Sequence, residues 1–451
     1  MPTRRDFFQL ACAALHAEYA HAQHQQTHFA PRAKSVIFLF MDGGVSHVDS
    51  FDPKPRLQKE AGQTLPITRP KLVRAVSTSL LPSPFEFRPY GQSGTPVSNI
   101  FPEIARHVDE LCLIRSMVAD HSEHTAANYF MHSGSGLQGR PSLGAWVTYG
   151  LGSPSRNLPG YVVLENGMIP PGGADIFGSG FLPAIFQASM FHAGPHAVAD
   201  LVPADATPAK QRAKLDLLRD LDNAALPRYH GAPDMQASIA NYELAYRMQS
   251  AVPELTDISG ETEATRKLYG LDDKNTEEYG RSCLLARRLV ERGVRFIELL
   301  SPKRDGFDRW DQHANLKRGH AANAEATDKP IAGLLQDLSA RGLLHDTLVV
   351  WAGEFGRSPT TQGSGDSAGR DHHPYGFTMW LAGAGVKPGF TYGATDEYGY
   401  YVLENRVHVH DLHATLLHLL GLDHTRLTHP FSGRQMRLTD VHGDVVRSIL
   451  S

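Results

Sequence analysis

The feature that most constrains this chain is an apolar run that ends at an acidic residue and two glycines. Residues 36–41 are six consecutive apolar residues, and Asp42-Gly43-Gly44 follows them. The run is long enough for a strand and too short to span a membrane. Because it has no polar alternation, it predicts a strand covered on both faces, which is typical of a parallel sheet between helices. We therefore expect an α/β fold with a mostly parallel central sheet and helices on both faces.

Asp42 is the first candidate functional residue. A carboxylate that follows a central parallel strand points into the crevice where open α/β sheets bind ligands. Gly43 and Gly44 allow a sharp turn and the close approach of a ligand. The alternative interpretation is an ordinary turn residue, and Asp42 alone does not decide between the two.

A second strand repeats this design. Residues 348–352 are apolar and are followed by Gly353-Glu354. Burying two acidic residues at the ends of two strands is costly without a cation, so Asp42 and Glu354 are candidate metal ligands. Further strands are expected at residues 111–114, 294–300 and 407–409.

Composition excludes some functions and favours others. The 451 residues have a formal net charge of -4, which indicates neither a nucleic-acid footprint nor adhesion to an anionic membrane. The chain has 24 histidines, more than packing requires, and many lie beside Asp or Gly in predicted loops. This pattern favours metal ligation or acid–base chemistry. Cys112 and Cys283 lie in apolar or helical contexts and are expected to be buried thiols.

The first 22 residues match a twin-arginine export signal. Arg4-Arg5 is followed by an apolar stretch and then by Ala20-His21-Ala22, which has the form of a cleavage site. We expect a signal peptide over residues 1–22, a periplasmic or extracytoplasmic protein and no transmembrane segment. The apolar stretch is short and is interrupted by Gln9, so a cytoplasmic protein with a chance Arg-Arg pair is the alternative.

Residues 158–280 change in character and predict an inserted helical cap. Pro and Gly are frequent at the start, and helical patterns follow at 209–221 and 237–248. Further helices are expected at 282–292 and at 328–340, where Pro330 fits the first turn.

Three loops hold further candidates. The loop after the strand at 111–114 contains His124 and Thr125 and leads into a helix predicted from 126. Thr125 is the expected N-cap, which would place it at the anion-binding end of that helix. The loop after 294–300 contains Asp311 and His313, and a later loop contains His372.

Four of these stretches together resemble a known family. They are residues 40–44, 310–313, 353–357 and 369–374. They resemble the family of domain of unknown function 1501, whose members are mostly exported bacterial proteins grouped with the alkaline phosphatase and sulfatase superfamily. The resemblance covers nearly all of residues 31–451, and it implies an alkaline phosphatase/sulfatase-like sandwich with a helical insertion.

The resemblance also implies a metal centre. Superfamily members hold two metal sites at the strand ends of one sheet, beside a nucleophile at a helix start. The positions that resemble metal ligands here are Asp42, Asp311, His313, Glu354 and His372. Such oxygen and imidazole donors suit Zn²⁺, Mn²⁺, Mg²⁺ or Ca²⁺.

This chain departs from the superfamily pattern in two places. The superfamily has Asp-His where this chain has Glu354-Phe355, so one imidazole is missing. Either His47, His121 or His373 replaces it, or only one metal binds. The nucleophile position falls on His124, with Thr125 beside it, and no motif for formylglycine formation is present.

The implied function is an exported metal-dependent hydrolase of phosphate or sulfate esters. Its substrate would be a small-molecule or glycan ester, and Thr125, His124 or a bound water would attack it. The alternative is a non-catalytic extracytoplasmic protein that keeps the fold and binds a glycan or a protein partner. The intact acidic strand ends favour the first hypothesis, whereas Phe355 and the doubtful nucleophile favour the second.

Overall fold

A computed structural model describes most of the chain after the predicted signal peptide. The described residues are 27–68, 77–192, 194, 197–199, 201, 207–226, 233–304, 306 and 309–451. Residues 1–22, with Arg4 and Arg5, lie outside this part of the chain, so the predicted signal remains a prediction. No helix among the described residues is both long and apolar enough to cross a membrane.

The strands within the described residues are β1 (Ser35–Phe40), β2 (Phe87–Tyr90), β3 (Thr95–Ser98), β4 (Leu111–Val118), β5 (Tyr161–Glu165), β6 (Ser189–His192), β7 (Phe296–Leu300), β8 (Thr347–Ala352), β9 (Gly356–Gln362), β10 (Gly369–His373), β11 (Phe377–Ala382), β12 (Phe390–Tyr392), β13 (Ala394–Thr395), β14 (Val402–Glu404), β15 (Val407–His408), β16 (His429–Phe431) and β17 (Arg434–Met436). The helices are α1 (Pro55–Lys59), α2 (His124–Ser133), α3 (Leu143–Leu151), α4 (Pro208–Ala225), α5 (Pro233–Thr256), α6 (Glu263–Leu268), α7 (Glu277–Glu291), α8 (Leu316–Ala340) and α9 (Val409–Leu419).

Nine of these strands form the central sheet. Their order is β12-β4-β11-β8-β1-β7-β5-β6, and β15 pairs with β4. Within this described sheet only β11 runs antiparallel to its neighbours, β4 and β8. The prediction of an α/β fold with a mostly parallel sheet is therefore confirmed.

The apolar run at residues 36–41 lies at the centre of this sheet because both of its faces are buried. Val36, Phe38 and Phe40 belong to one core cluster, which also contains side chains of α2, α3 and α9. The alternate residues, Ile37, Leu39 and Met41, belong to a second cluster with side chains of α5, α7 and α8. Helices thus cover both faces, as the absence of polar alternation predicts.

Two predicted boundaries differ from the structure. The span 158–280 is not wholly a helical cap, because β5 and β6 belong to the central sheet and the helices begin at Pro208. Helix α8 begins at Leu316, so Pro330 lies inside the helix and not in its first turn. The predicted buried thiols are confirmed, since Cys112 and Cys283 are both free and buried.

The topology brings the carboxyl ends of the parallel strands to one edge of the sheet. β1 pairs with β7 and β8 in register, with Phe40 opposite Leu300 and Ala352. The residues that follow these three strands therefore lie side by side. This edge holds the candidate site.

Candidate metal centre

Six of the candidate residues are positioned by five different parts of this edge. Asp42 and Glu354 each lie two residues beyond a strand, β1 and β8 respectively. His124 is the first residue of α2, and His372 lies on β10. Asp311 and His313 lie between β7 and α8. Predictions from separate parts of the sequence thus converge in space.

Asp311 is the centre of the cluster. Its carboxylate lies 3.1 Å from His124 Nε2, 3.1 Å from His313 Nε2 and 3.2 Å from His372 Nε2. Two overlapping groups have ligand atoms close enough to hold a metal ion, namely His124 with Asp311 and His372, and His313 with Asp371 and His372.

Each of the three histidines is oriented by an oxygen atom at its other ring nitrogen. His124 Nδ1 lies 2.7 Å from Glu354 Oε1, and His372 Nδ1 lies 2.7 Å from the carbonyl oxygen of Ser122. His313 Nδ1 lies 2.5 Å from Gln362 Oε1. Carboxylate and carbonyl oxygens can only accept hydrogen bonds, so they favour a proton on each Nδ1. Each Nε2 is then the atom available to a metal, which is the usual arrangement around ligating histidines.

The contacts between the Nε2 atoms fit a cation. His313 Nε2 and His372 Nε2 lie 2.9 Å apart, so in neutral rings that carry their protons on Nδ1 two lone pairs face each other. His124 Nε2 is buried and faces Asp311 without forming an aligned hydrogen bond. The imidazole nitrogens and carboxylate oxygens of the two groups are donors of the kind that bind Zn²⁺ and related ions.

The pKa shifts within the cluster also indicate that this site stabilises positive charge. Burial opposes protonation of His124, but the carboxylates of Asp311 and Glu354 raise its pKa to about 9. The bond to Asp311 likewise raises the pKa of His313. Burial works against the charge of Asp311, yet its histidine partners and Arg357 hold the pKa of that carboxyl below its usual range. A metal ion that displaced the histidine protons would supply the same charge.

Asp42 lies next to the cluster but contacts other groups. Its Oδ1 accepts a hydrogen bond from Ser301 at 2.8 Å, and its Oδ2 lies 2.5 Å from Arg309 Nη1. Burial raises the pKa of Asp42 to about 7, with Arg309 opposing the rise and Glu354 adding to it. The carboxylate is fully buried, so its charge depends on these partners.

Thr125 occupies a different position from the one expected. Helix α2 begins at His124 and its N-cap is Glu123, not Thr125. The Glu123 carboxylate accepts the backbone N–H groups of Thr125 and Ala126 at 3.0 and 3.1 Å. Two backbone N–H groups that could otherwise bind an anion at the start of this helix therefore already donate hydrogen bonds within the chain.

Three histidines considered as a replacement for the missing imidazole have other partners. His47 Nε2 lies 2.8 Å from the carbonyl of Gly399, and His373 Nε2 lies 2.6 Å from that of Tyr400. His121 packs edge-on against Phe130. None of the three belongs to a group of described residues that could hold a metal ion.

The structure adds residues that the sequence analysis did not single out. Arg357 is fully buried and donates to Asp311 and to the carbonyl oxygen of Gly44. Gln362 contacts His313 of the cluster, and Arg309 and Ser301 contact the neighbouring Asp42. Arg357 lies within a motif of the family resemblance, whereas no local pattern in the sequence marks the other three.

Comparison with protein families finds one match. The model of a family described as "Protein of unknown function (DUF1501)" matches residues 33–450. No curated protein matches the chain.

Comparison with solved structures finds weak similarities. The PsFucS1 sulfatase from Pseudoalteromonas sp. has 13% identity, covering 94% of this chain and 72% of that chain with a TM-score of 0.37. The lipoteichoic acid synthase LtaP from Listeria monocytogenes has 10% identity, covering 94% of this chain and 80% of that chain with a TM-score of 0.37. The alkaline phosphatase from the Antarctic bacterium TAB5 has 12% identity, covering 79% of this chain and 92% of that chain with a TM-score of 0.33. Similarities of this size assign no activity to the chain.

Proposed function

We propose that this chain, which belongs to the DUF1501 family of proteins of unknown function, is an exported metal-dependent hydrolase of phosphate or sulfate esters. The observation that carries the proposal is the convergence of three histidine Nε2 atoms on Asp311. The motif resemblance described above supports the ester substrates, and the location of the cluster at the carboxyl edge of the sheet supports a ligand site.

The proposed metal ligands are His124, Asp311, His313 and His372. Glu354, Gln362 and the Ser122 carbonyl hold the histidine rings in the orientation that presents Nε2. A divalent ion at such donors supplies Lewis acidity toward an ester oxygen and activates a hydroxyl group. Glu354 would then act as a positioning residue, because its carboxylate faces the far nitrogen of His124.

Thr125 is the proposed attacking group within the chain. As a proposed ligand, His124 faces Glu354 with Nδ1 and the metal position beside Asp311 with Nε2, which leaves no ring nitrogen to attack a substrate. Thr125 is adjacent in sequence to this proposed ligand, and its side chain is only half-buried, so a substrate can reach it from solvent. Water is the other candidate nucleophile.

Elemental analysis and an ester screen test the proposal. The full chain would be purified without added metal, analysed for bound ions, and assayed with an aryl phosphate, a phosphodiester and an aryl sulfate. We expect a bound divalent ion and hydrolysis of at least one ester. The variant His372→Ala should lose both, whereas His345→Ala, at a side chain that is 89% exposed, should lose neither.

The outcomes separate the two functions. A protein without a bound ion in any preparation would refute the metal centre. A bound ion without hydrolysis of any ester would favour the non-catalytic glycan- or protein-binding alternative. With activity present, loss of hydrolysis in Thr125→Ala at unchanged metal content identifies the hydroxyl as the attacking group, and full activity identifies water.

A further inference from the structure

Arg309 is a buried cation with a fixed position beside Asp42. The two side chains are 5% and 1% exposed, and Arg309 Nη1 lies 2.5 Å from Asp42 Oδ2. The Arg309 backbone has φ 37°, a left-handed conformation that is uncommon for a residue other than glycine. Its carbonyl oxygen accepts hydrogen bonds from the side-chain amides of Gln312 and Asn323. These hydrogen bonds anchor the backbone of Arg309, and its guanidinium forms an ion pair with Asp42.

Asp42 and Glu354 need such a cation. They follow adjacent parallel strands, β1 and β8, and both are fully buried. Each carboxylate raises the cost of ionising the other, and two buried charges of the same sign are stable only with nearby positive charge. Arg309 supplies that charge to Asp42, whereas Glu354 faces Nδ1 of the proposed ligand His124.

The surroundings of Asp42 offer few ligands for a metal. Among the described residues, the groups able to hold an ion all include His372, and none includes Asp42 or Glu354. The ring next to Glu354 along the chain is Phe355, which packs 5.0 Å from His124 and 4.7 Å from His372 between ring centres. A phenyl ring has no donor atom for a cation of this type.

The charges of the site agree with a single ion. Its described carboxylates are those of Asp42, Asp311, Glu354 and Asp371, and its guanidinium groups are those of Arg309 and Arg357. With the histidines neutral, as metal ligation requires, four carboxylates and two guanidinium groups leave two negative charges. One divalent ion cancels them, whereas a second would leave an excess of positive charge in a buried place.

We propose that the Arg309 guanidinium takes the place of a second metal ion, so that the chain holds one divalent ion at His124, Asp311, His313 and His372. The inference rests on the proposed metal-dependent function and specifies its metal count. Asp42 is then a partner of Arg309 and not a metal ligand.

Metal stoichiometry tests this assignment without an activity assay. Metal-free full-length protein would be titrated with Mn²⁺ by calorimetry, and the bound ion would be counted by elemental analysis after dialysis. We expect one ion per chain in the wild type and in Arg309→Lys, which keeps the charge. Arg309→Ala leaves the buried Asp42 and Glu354 carboxylates without the guanidinium charge, so a second ion should bind beside them in the space that the side chain vacates. The control is Arg287→Ala, which removes a buried arginine from the carboxylates of Glu261 and Asp337 and should still bind one ion.

Each result decides between the proposals. Two ions in the wild type, or only one in Arg309→Ala, would overturn the role of Arg309 and leave the metal-dependent function standing. No ion in the wild type would overturn both. If Arg309→Ala does not fold, Asp42→Asn takes its place: retention of one ion at unchanged affinity supports the inference, and loss of that ion contradicts it.

Discussion

Replacement of Glu354 by glutamine tests how the metal centre is built. Glu354 is fully buried, and its Oε1 lies 2.7 Å from His124 Nδ1. Its two oxygens also accept the Gly43 N–H at 3.0 and 3.2 Å. Glutamine has nearly the same shape and retains one oxygen acceptor. The change therefore removes the charge from the bond to His124 with little effect on packing.

The expected effect is on the affinity for the metal. Loss of a partner that orients a ligating histidine commonly weakens metal binding by about 10–100-fold, which corresponds to about 1.4–2.7 kcal/mol. We expect the upper part of this range for Glu354→Gln, because the bond is short, charge-assisted and shielded from water.

A chelator-competition titration measures this affinity. The matched control is Glu298→Gln, another buried glutamate, which binds His132 at 2.6 Å and Tyr161 at 2.9 Å inside one core cluster. The control should melt at a lower temperature and keep the wild-type metal affinity. Unchanged affinity in Glu354→Gln, or an equal loss in both variants, would refute the reasoning.

Three further predictions concern the turn, the acid stability and the export of the chain. Gly43→Ala should weaken metal binding in a chelator titration, because the added carbon would lie 2.6 Å from the backbone nitrogen of Asp311. The control is Gly62→Ala, which also adds a carbon at a glycine with positive φ but meets no atom within 4 Å, and its metal affinity should not change. Burial lowers the pKa of His320 to about 3 in the folded chain, so as pH falls below about 6.5 the unfolded chain takes up this proton first and the free energy of unfolding decreases. Urea unfolding should show a decrease of about 1.4 kcal/mol per pH unit from this group, and a free energy of unfolding that does not change in the acid range would contradict the prediction. Replacing both Arg4 and Arg5 by lysine should abolish export, and an exported variant in the extracytoplasmic fraction would refute the twin-arginine signal.

The core of the fold was predictable because its signal is local. β1 and β8 are almost continuous apolar runs, and β4 and β7 are mostly apolar apart from residues such as Arg115 and Glu298, so all four can be recognised as buried strands without knowledge of a partner. Once they are strands of one parallel sheet, the residues after their carboxyl ends must lie together, which is why Asp42 and Glu354 could be expected at one edge.

Other elements were missed because local signals pointed elsewhere. Proline at position 330 is typical of a first helical turn, yet α8 continues through it from Leu316. β5 and β6 lie in the span whose Pro- and Gly-rich composition indicated a cap, although β5 pairs with β7 and β6 pairs with β5, which places both in the central sheet. Strand pairing between segments that are distant in sequence decides the case of β5 and β6, and no local pattern reveals such pairing.

The second layer of the site depends on tertiary contacts. Gln362 meets His313 across 49 residues, and Ser122 meets His372 across 250. Arg309 reaches Asp42 only because β1 and β7 are neighbours in the sheet. Composition and motif spacing identify the donor atoms, but only the fold shows which nitrogen of each histidine faces the metal centre.

Anomalous diffraction from crystals of the metal-loaded protein tests the central claim most directly. Data collected on both sides of the absorption edge of the bound metal locate the ion without assumptions about activity. We predict an anomalous peak bounded by the Nε2 atoms of His124, His313 and His372 and by the carboxylate of Asp311. A metal-loaded crystal with no peak among these four side chains, or with its peak at Asp42 and Glu354, would contradict the account.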